Sequence, residues 1–121
     1  NTALMSATFG LSFEEVFVNP LLWGRWVESA VGSYLMNQSW EKGFSVYYWR
    51  SDKHNFAEVD FILVKDKRVV AIEVKSGRRK DNAGIHLFSE AYHPIASLII
   101  GGDVFPLDKF LSMDIERLFS L

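Results

Sequence analysis

Two apolar runs separated by three polar residues constrain the fold of this chain more than any other feature. The runs are AEVDFILV (57–64) and RVVAIEVK (68–75), and Lys65, Asp66 and Lys67 connect them. Two runs of this length with a short polar connection are typical of a β-hairpin, even without the Asn-Gly dipeptide of the tightest turns. The sequence therefore predicts a pair of antiparallel strands in the middle of the chain.

Each predicted strand carries a carboxylate, Asp60 in the first and Glu73 in the second, between large apolar residues. Charged residues seldom lie within apolar strands unless they face water or have a function. If the hairpin turns at residues 66–67, so that the residues on either side of the turn pair, Asp60 falls opposite Glu73. Their side chains are then about 5 Å apart on one face of the hairpin.

Strand alternation places Lys75 on the same face as Glu73, while Val70, Ile72 and Val74 occupy the other face and can pack in the core. Two opposed carboxylates repel each other and need a cation. Asp60, Glu73 and the backbone carbonyl after Glu73 suit Mg²⁺ or Mn²⁺, which takes further ligands from water and phosphate. Lys75 can orient or help deprotonate the attacking water, or stabilise charge on the phosphate. The alternative is an exposed sheet face with ordinary salt bridges.

A helix before the hairpin supplies a fourth candidate, Glu28. Asn19 followed by Pro20 is typical of a helix start, and the apolar spacing that follows predicts an amphipathic helix of about four turns. Gly24 and Gly32 lie four residues to either side of Glu28. This bare row lets the helix approach the sheet and present one carboxylate toward it, although glycines that serve only packing produce the same pattern.

The remaining segments complete an α/β pattern. FSVYYWR (44–50) predicts a strand, residues 82–92 a helix, ASLIIGG (96–102) a strand, and residues 106–121 one or two short helices. A helix between two strands indicates a crossover onto the same sheet. With 121 residues, 49% of them hydrophobic, the chain fits a single globular unit.

The distribution of charge indicates that any contact with nucleic acid would depend on a local basic patch and not on the net charge of the chain. The net charge is −2, so contact with phosphate requires a basic patch. Candidates for that patch are Arg78, Arg79, Lys80, Arg50 and Lys53. The commoner meaning of such a charge run is a solvated surface.

Cysteine and targeting signals are both missing from the sequence. The chain has no cysteine, which excludes disulfides and thiolate metal sites, and the histidines lack the spacing of a zinc site. Nothing resembles a signal peptide or an uninterrupted apolar span. We therefore expect a cytoplasmic protein that does not contact the membrane.

The order Glu28, then Val-Asp60-Phe, then Ile-Glu73-Val-Lys75-Ser-Gly resembles the PD-(D/E)XK nuclease superfamily. The segments LLWGRWVESAVGSYL, YYWR, EVDFILV and AIEVKSG also look like the uncharacterised C-terminal domain of a family of prokaryotic AAA-type ATPases, over nearly the whole chain. The resemblance implies a restriction-endonuclease-like, three-layer α/β/α fold whose central mixed sheet contains the hairpin. It also implies a link to DNA and a preceding P-loop ATPase module, absent here, that binds ATP.

By this resemblance Glu28 is the helix acid, Asp60 the metal-binding aspartate, and Glu73 with Lys75 the Glu-x-Lys pair. Two departures are visible: Val59 replaces the proline before the aspartate, and the Gln-x-x-x-Tyr of the RecB-like branch is missing from the 82–92 helix. Residues 1–18 are expected to be a lead-in from a longer parent protein, and residues 19–121 the nuclease-like domain.

Two functions of different classes follow from this pattern. The first is metal-dependent hydrolysis of phosphodiester bonds in DNA, with RNA or tRNA as another possible substrate. The second is a catalytically silent module that keeps the fold in order to bind nucleic acid or a protein partner.

Overall fold

The computed structural model describes residues 12–52, 57–75, 82–102 and 104–120. Its elements follow the predicted order along the chain. The helices are α1 (Phe13–Val18), α2 (Pro20–Lys42), α3 (Ala83–Tyr92), α4 (Leu107–Phe110) and a 3₁₀ helix (Ile115–Ser120), and the strands are β1 (Ser45–Arg50), β2 (Glu58–Lys65), β3 (Arg68–Val74) and β4 (Ala96–Ile100).

The four strands form one mixed sheet in the order β1-β2-β3-β4. β2 pairs antiparallel with both β1 and β3, and β4 lies parallel to β3. The parallel pair is joined through α3, which confirms the predicted crossover. The predicted hairpin is also confirmed, because Lys65 pairs with Arg68.

The hairpin turn adopts a conformation that its sequence does not predict. Asp66 and Lys67 both have positive φ, 49° and 67°. Positive φ at both central residues is the mark of a type I′ turn, whose twist matches the right-handed twist of paired strands. An aspartate tolerates this region better than a lysine does, so the pairing of the strands maintains a backbone shape that the residues alone do not favour.

Helices cover the sheet on both faces. Alternate residues of β3 (Val70, Ile72 and Val74) pack in a large core with Val27, Val31 and Leu35 of α2 and with the C-terminal helices. Ala71 of the same strand packs in a smaller core with Ile85 and Phe88 of α3. The molecule is therefore a mixed α/β domain with three layers.

Helix α2 starts at the predicted capping residue and ends at a glycine cap. The Asn19 side chain accepts hydrogen bonds from the backbone N–H groups of Leu21 and Leu22, and Gly43 ends the helix with a φ of 72°. At 23 residues the helix is longer than the predicted four turns. Its last turns carry the exposed side chains of Met36 and Trp40, so the apolar stripe fades while the helix continues.

Helix α3 approaches the sheet at Gly84 with no room for a side chain. A Cβ atom at this position would lie 2.0 Å from the carbonyl oxygen of Glu58, at the start of β2. The glycine thus sets how closely α3 packs on the strand that carries Asp60. Within the described ranges, no helix has both the length and the apolar character needed to cross a membrane.

Candidate functional site

Asp60 and Glu73 are the two charged side chains that the described part of the chain buries. Their exposed fractions are 7% and 4%. Burying a carboxylate costs several kcal/mol unless charges or hydrogen bonds compensate it. Both lie on neighbouring strands, β2 and β3, as the sequence predicted.

The backbone pairing of β2 and β3 ends just before the two carboxylates. Paired residues run from Lys65 and Arg68 at the turn to Phe61 and Ile72. The same register would next pair Asp60 with Glu73, but Oδ2 of Asp60 instead accepts a hydrogen bond of 2.8 Å from the backbone N–H of Val74. The predicted register is therefore correct, whereas the expected cross-strand pair of carboxylates is not part of the ladder.

A β-bulge interrupts the pairing of β1 with β2 at Asp60 and Phe61. Tyr47 pairs with Ile62 and Trp49 pairs with Val59, so β2 has one more residue in this interval than β1. A bulge bends its strand and changes the direction of the side chains beside it, and bulges are frequent next to functional sites. The sequence prediction, which assumed plain alternation along β2, missed it, since neither a glycine nor a proline marks the position.

Glu28 and Asp60 line the same cavity, between α2 and the strands β1 and β2. Its volume is about 800 Å³. Gly32, one turn beyond Glu28, adjoins the ring of Phe61, because a Cβ added there would lie 3.4 Å from two ring carbons. Of the predicted glycine row, Gly32 thus brings α2 close to the strand of Asp60, and Glu28 is exposed at the cavity. The other residues lining the cavity are Arg25, Ser29, Ser33, Met36, Asn37 and Val46.

Lys75 directly follows β3, and two glycines after β4 hold it. Its N–H donates to the carbonyl of Ile100 at 2.7 Å. A Cβ at Gly101 would lie 2.1 Å from the Lys75 carbonyl oxygen, and one at Gly102 would lie 3.5 Å from Cδ of the lysine side chain. The two glycines, with φ of 94° and 59°, therefore allow the backbone after β4 to pack closely against Lys75. Sequence reasoning treated this Gly-Gly pair only as the end of a strand.

Glu58 forms a hydrogen bond at the outer side of the sheet. The Tyr48 hydroxyl donates to Oε2 of Glu58 at 2.7 Å. This hydrogen bond, with smaller contributions from desolvation and from the charge of Glu58, raises the pKa of Tyr48 above its ordinary value. Glu58 is thus engaged with β1 while Asp60, two residues later, lines the cavity.

The predicted basic patch is described only in part. Arg78, Arg79, Lys80 and Lys53 lie outside the described residues. Arg50 is exposed at the end of β1 and lines a different cavity, of about 600 Å³, with residues of α3. The cavity that Glu28 and Asp60 share therefore does not include Arg50.

The side chains that most often bind metal ions are those of histidine, cysteine, aspartate and glutamate. Within the described ranges no three of them form a group that could hold an ion. Asp60 and Glu73 are two carboxylates, and the predicted site took its third protein ligand from a backbone carbonyl. The expected Mg²⁺ or Mn²⁺ site is thus limited to two side-chain ligands within those ranges.

The fold and the site define a class: a three-layer mixed α/β domain with two buried carboxylates where the β2–β3 pairing ends, and a lysine two residues after the second of them. The chain belongs to the family described as "Domain of unknown function (DUF4143)", which matches residues 23–113. This family is known as a C-terminal domain associated with AAA-type ATPases, in agreement with that part of the resemblance. Comparisons with curated proteins and with solved structures gave no match.

Proposed function

We propose that this chain is a nuclease-like module of the PD-(D/E)XK type, with a restriction-endonuclease-like fold, and that it hydrolyses phosphodiester bonds in DNA with the help of a divalent metal ion. One observation supports this most: Asp60 and Glu73 are buried on adjacent strands where the β2–β3 ladder ends, with Lys75 two residues beyond Glu73. Charged groups kept in a core at a cost to stability are typical of functional sites.

The donor chemistry of the site fits Mg²⁺ or Mn²⁺. Mg²⁺ is commonly bound by one or two carboxylates, keeps several waters and takes other ligands from phosphate, so Asp60 and Glu73 are a sufficient side-chain set. Hydrogen bonding of Asp60 through Oδ2 also fits, because ligating carboxylates are usually oriented by such bonds. A bound ion would polarise the phosphate and lower the pKa of a water molecule.

The chain's own residues have distinct roles in this proposal. Asp60 and Glu73 hold the ion. Lys75, whose stem lies along Gly102, orients the attacking water or stabilises the charge that develops on the phosphate. Glu28 approaches from α2 across the shared cavity and orients water or substrate beside Asp60. In the intact protein we propose that an ATPase module uses ATP to deliver the nucleic acid to this site.

A catalytically silent binding module remains the second candidate, and one observation favours it. Oδ2 of Asp60 accepts the hydrogen bond of the Val74 N–H, which lies beyond Phe61 and Ile72, the last pair of the β2–β3 ladder. An aspartate kept for that hydrogen bond alone needs no metal and no substrate. The two candidates therefore differ in whether Asp60 binds a metal ion in addition to accepting this hydrogen bond.

Cleavage by the purified protein separates the two candidates. Single-stranded, double-stranded and branched DNA, and an RNA of matching sequence, are incubated with Mg²⁺ or Mn²⁺. We expect cleavage of at least one DNA, reduced about 100-fold or more in Asp60→Asn and Lys75→Ala. Lys109→Ala, which removes an exposed lysine of α4, should cleave like the wild type.

The contrary results of this assay are equally clear. No cleavage of any substrate by the wild type favours the silent module, and equal cleavage by wild type and both variants excludes these residues as the site. Isothermal titration with Mn²⁺ adds a test that does not depend on turnover. The wild type should bind the ion and Glu73→Gln should not, because the neutral amide is a much weaker ligand.

A further inference from the structure

The cavity beside Asp60 has a row of polar side chains along its helical wall. Arg25, Ser29, Ser33 and Asn37 succeed one another at intervals of four residues on α2, and all four line the cavity. Residues four apart lie on one face of a helix, so the row extends for about 18 Å. This length suits an extended chain with repeated polar groups.

The polar groups of this row are available to a ligand. In the part of the chain that the structure describes, none of these four side chains forms a hydrogen bond or an ion pair with any other residue. Arg25 and Asn37 are also exposed. Hydroxyl, amide and guanidinium groups are the side-chain donors that most often contact phosphate and sugar oxygens. Arg25 supplies the positive charge that such contacts need.

The apolar side chains that line the cavity include an aromatic ring. Phe61 and Val46 come from the sheet, and Met36 comes from α2. Because Gly32 has no side chain, α2 lies close to the ring of Phe61, and a Cβ at this position would be 3.4 Å from two ring carbons. A cavity of about 800 Å³ that is lined by a row of polar side chains and by apolar side chains suits a ligand that has a charged backbone and flat apolar rings.

We propose that this cavity binds an unpaired nucleic-acid strand, with its sugar–phosphate backbone along the Arg25–Asn37 row and one base stacked on Phe61. The inference rests on the proposed function, of which it specifies the form of the substrate. In a duplex the faces of the bases are stacked on their neighbours, so a base can reach Phe61 only when it is unpaired or flipped out. Such placement would bring the adjoining phosphate to the carboxylates.

Charge within the cavity makes this binding depend on a cation. Arg25 contributes one positive charge to the lining, and Glu28 and Asp60 contribute two negative charges. A strand that carries one negative charge per nucleotide is repelled by this balance unless a divalent ion neutralises the carboxylates. Binding should therefore be stronger with Mg²⁺ than with EDTA.

Fluorescence anisotropy with labelled oligonucleotides tests the proposal. The protein carries Lys75→Ala so that substrate survives, and the probes are single-stranded DNA, single-stranded RNA and duplex DNA of one sequence in Mg²⁺. We expect a single strand to bind about 10-fold or more tightly than the duplex, and the DNA and RNA arms identify which strand is preferred. Adding Phe61→Leu should weaken single-strand binding by about 5-fold or more through lost stacking.

Matched substitutions separate the cavity from general effects. Phe105→Leu changes a half-buried ring that packs on the same core outside the cavity and should leave binding unchanged. Arg25→Gln should reduce the slope of log affinity against log salt by about 0.7, the value for one lost contact with a single-stranded phosphate, whereas Arg117→Gln should not. Because Arg25 is exposed, its replacement tests the proposal even if Phe61→Leu impairs folding.

The outcomes also distinguish this inference from the proposed function. Equal binding of duplex and single strands, or variants at 25 and 61 that behave like their controls, overturns the inference even if the wild type cleaves DNA. Selective single-strand binding by the cavity without any cleavage supports the inference and contradicts the proposed hydrolysis. Failure to bind any of the three probes overturns the inference.

Discussion

Asp60 has two separable features at the residue scale: one oxygen that holds the backbone and a negative charge that the proposed metal requires. Oδ2 accepts a hydrogen bond of 2.8 Å from the backbone N–H of Val74. A substitution of this residue therefore changes stability as well as any activity. Activity measured with Asp60→Ala alone would mix the two effects, which is why the amide variant is preferred in the cleavage assay.

The stability of the Asp60 variants should follow their ability to accept that hydrogen bond. Asp60→Ala leaves the buried N–H of Val74 without its acceptor and should lower the free energy of unfolding by about 1 to 3 kcal/mol. Asp60→Asn retains an oxygen acceptor and should lose less. Urea unfolding in EDTA measures both, and an alanine variant as stable as the asparagine variant would contradict the structural role of this oxygen.

Tyr48 offers a test of local electrostatics. Its pKa is raised, chiefly by the hydrogen bond to Glu58, so the neutral phenol is the form that the folded state favours. The stabilisation is thus fully present below the ordinary pKa of tyrosine and is lost as the pH rises through the higher folded value. In Glu58→Gln the pKa of Tyr48 should fall toward its ordinary value.

Absorbance of the phenolate between pH 9 and pH 12 measures this pKa. The chain has four tyrosines, so the spectrum of Tyr48→Phe, subtracted from that of the parent, isolates the step that belongs to Tyr48. Glu90→Gln, which removes an exposed carboxylate from α3, is the matched control and should leave that step in place. An unchanged step in Glu58→Gln would show that Glu58 does not set the pKa.

At the scale of elements, two glycines on different helices are expected to respond in opposite ways to alanine. At Gly84 a Cβ would lie 2.0 Å from a backbone oxygen of β2, so Gly84→Ala must move α3 away and should cost about 1 to 3 kcal/mol. At Gly32 the neighbouring atoms are 3.4 Å away and belong to the side chain of Phe61, so Gly32→Ala should gain up to about 1 kcal/mol from helix propensity.

Chemical unfolding of the two variants beside the wild type provides the measurement. The substitution is the same in both, so a common effect of glycine replacement on the unfolded chain cancels in the comparison. Equal destabilisation by both would contradict the close approach of α3 to β2. A destabilised Gly32→Ala would instead indicate that the ring of Phe61 cannot yield.

Most elements could be predicted because each has a local signal. The capping of α2 depends on Asn19 and Gly43, and the hairpin depends on two apolar runs around a polar turn. The crossover follows from the rule that a parallel pair needs a long connection. The length of α2 was underestimated because its exposed end has no apolar stripe, and only the capping glycine marks where it stops.

The finer geometry of the site could not be predicted, since it depends on contacts between distant segments. The bulge at Asp60 arises from the pairing of β1 with β2, and the position of Lys75 depends on backbone atoms after β4. Strand alternation predicted that Asp60 and Glu73 lie on one face of the hairpin. In the structure Asp60, at the bulge, lines the cavity between α2 and the sheet. A bulge shifts the register of the paired strands by one residue, and the amino-acid composition gives no signal of such a shift.

At the scale of the whole molecule, β3 is an interior strand covered by helices on both faces. Ala71 and Ile72 are fully buried on opposite sides, and the strand reads as a nearly continuous apolar run, as strands buried on both faces do. Glu73 is the exception within this run. Burying a charge costs the most stability in such a strand. The presence of Glu73 there therefore distinguishes it from the acidic residues of the surface.

The glycine pair after β4 makes the location of Lys75 independent of how the core is filled. Gly101 and Gly102 contact the lysine with backbone rather than with side chains. Substitutions that enlarge or shrink core residues alter side-chain packing first, so much of the interior can vary between related chains without displacing the backbone of Lys75. In a comparison of such chains, the glycine pair and the lysine should change together or not at all.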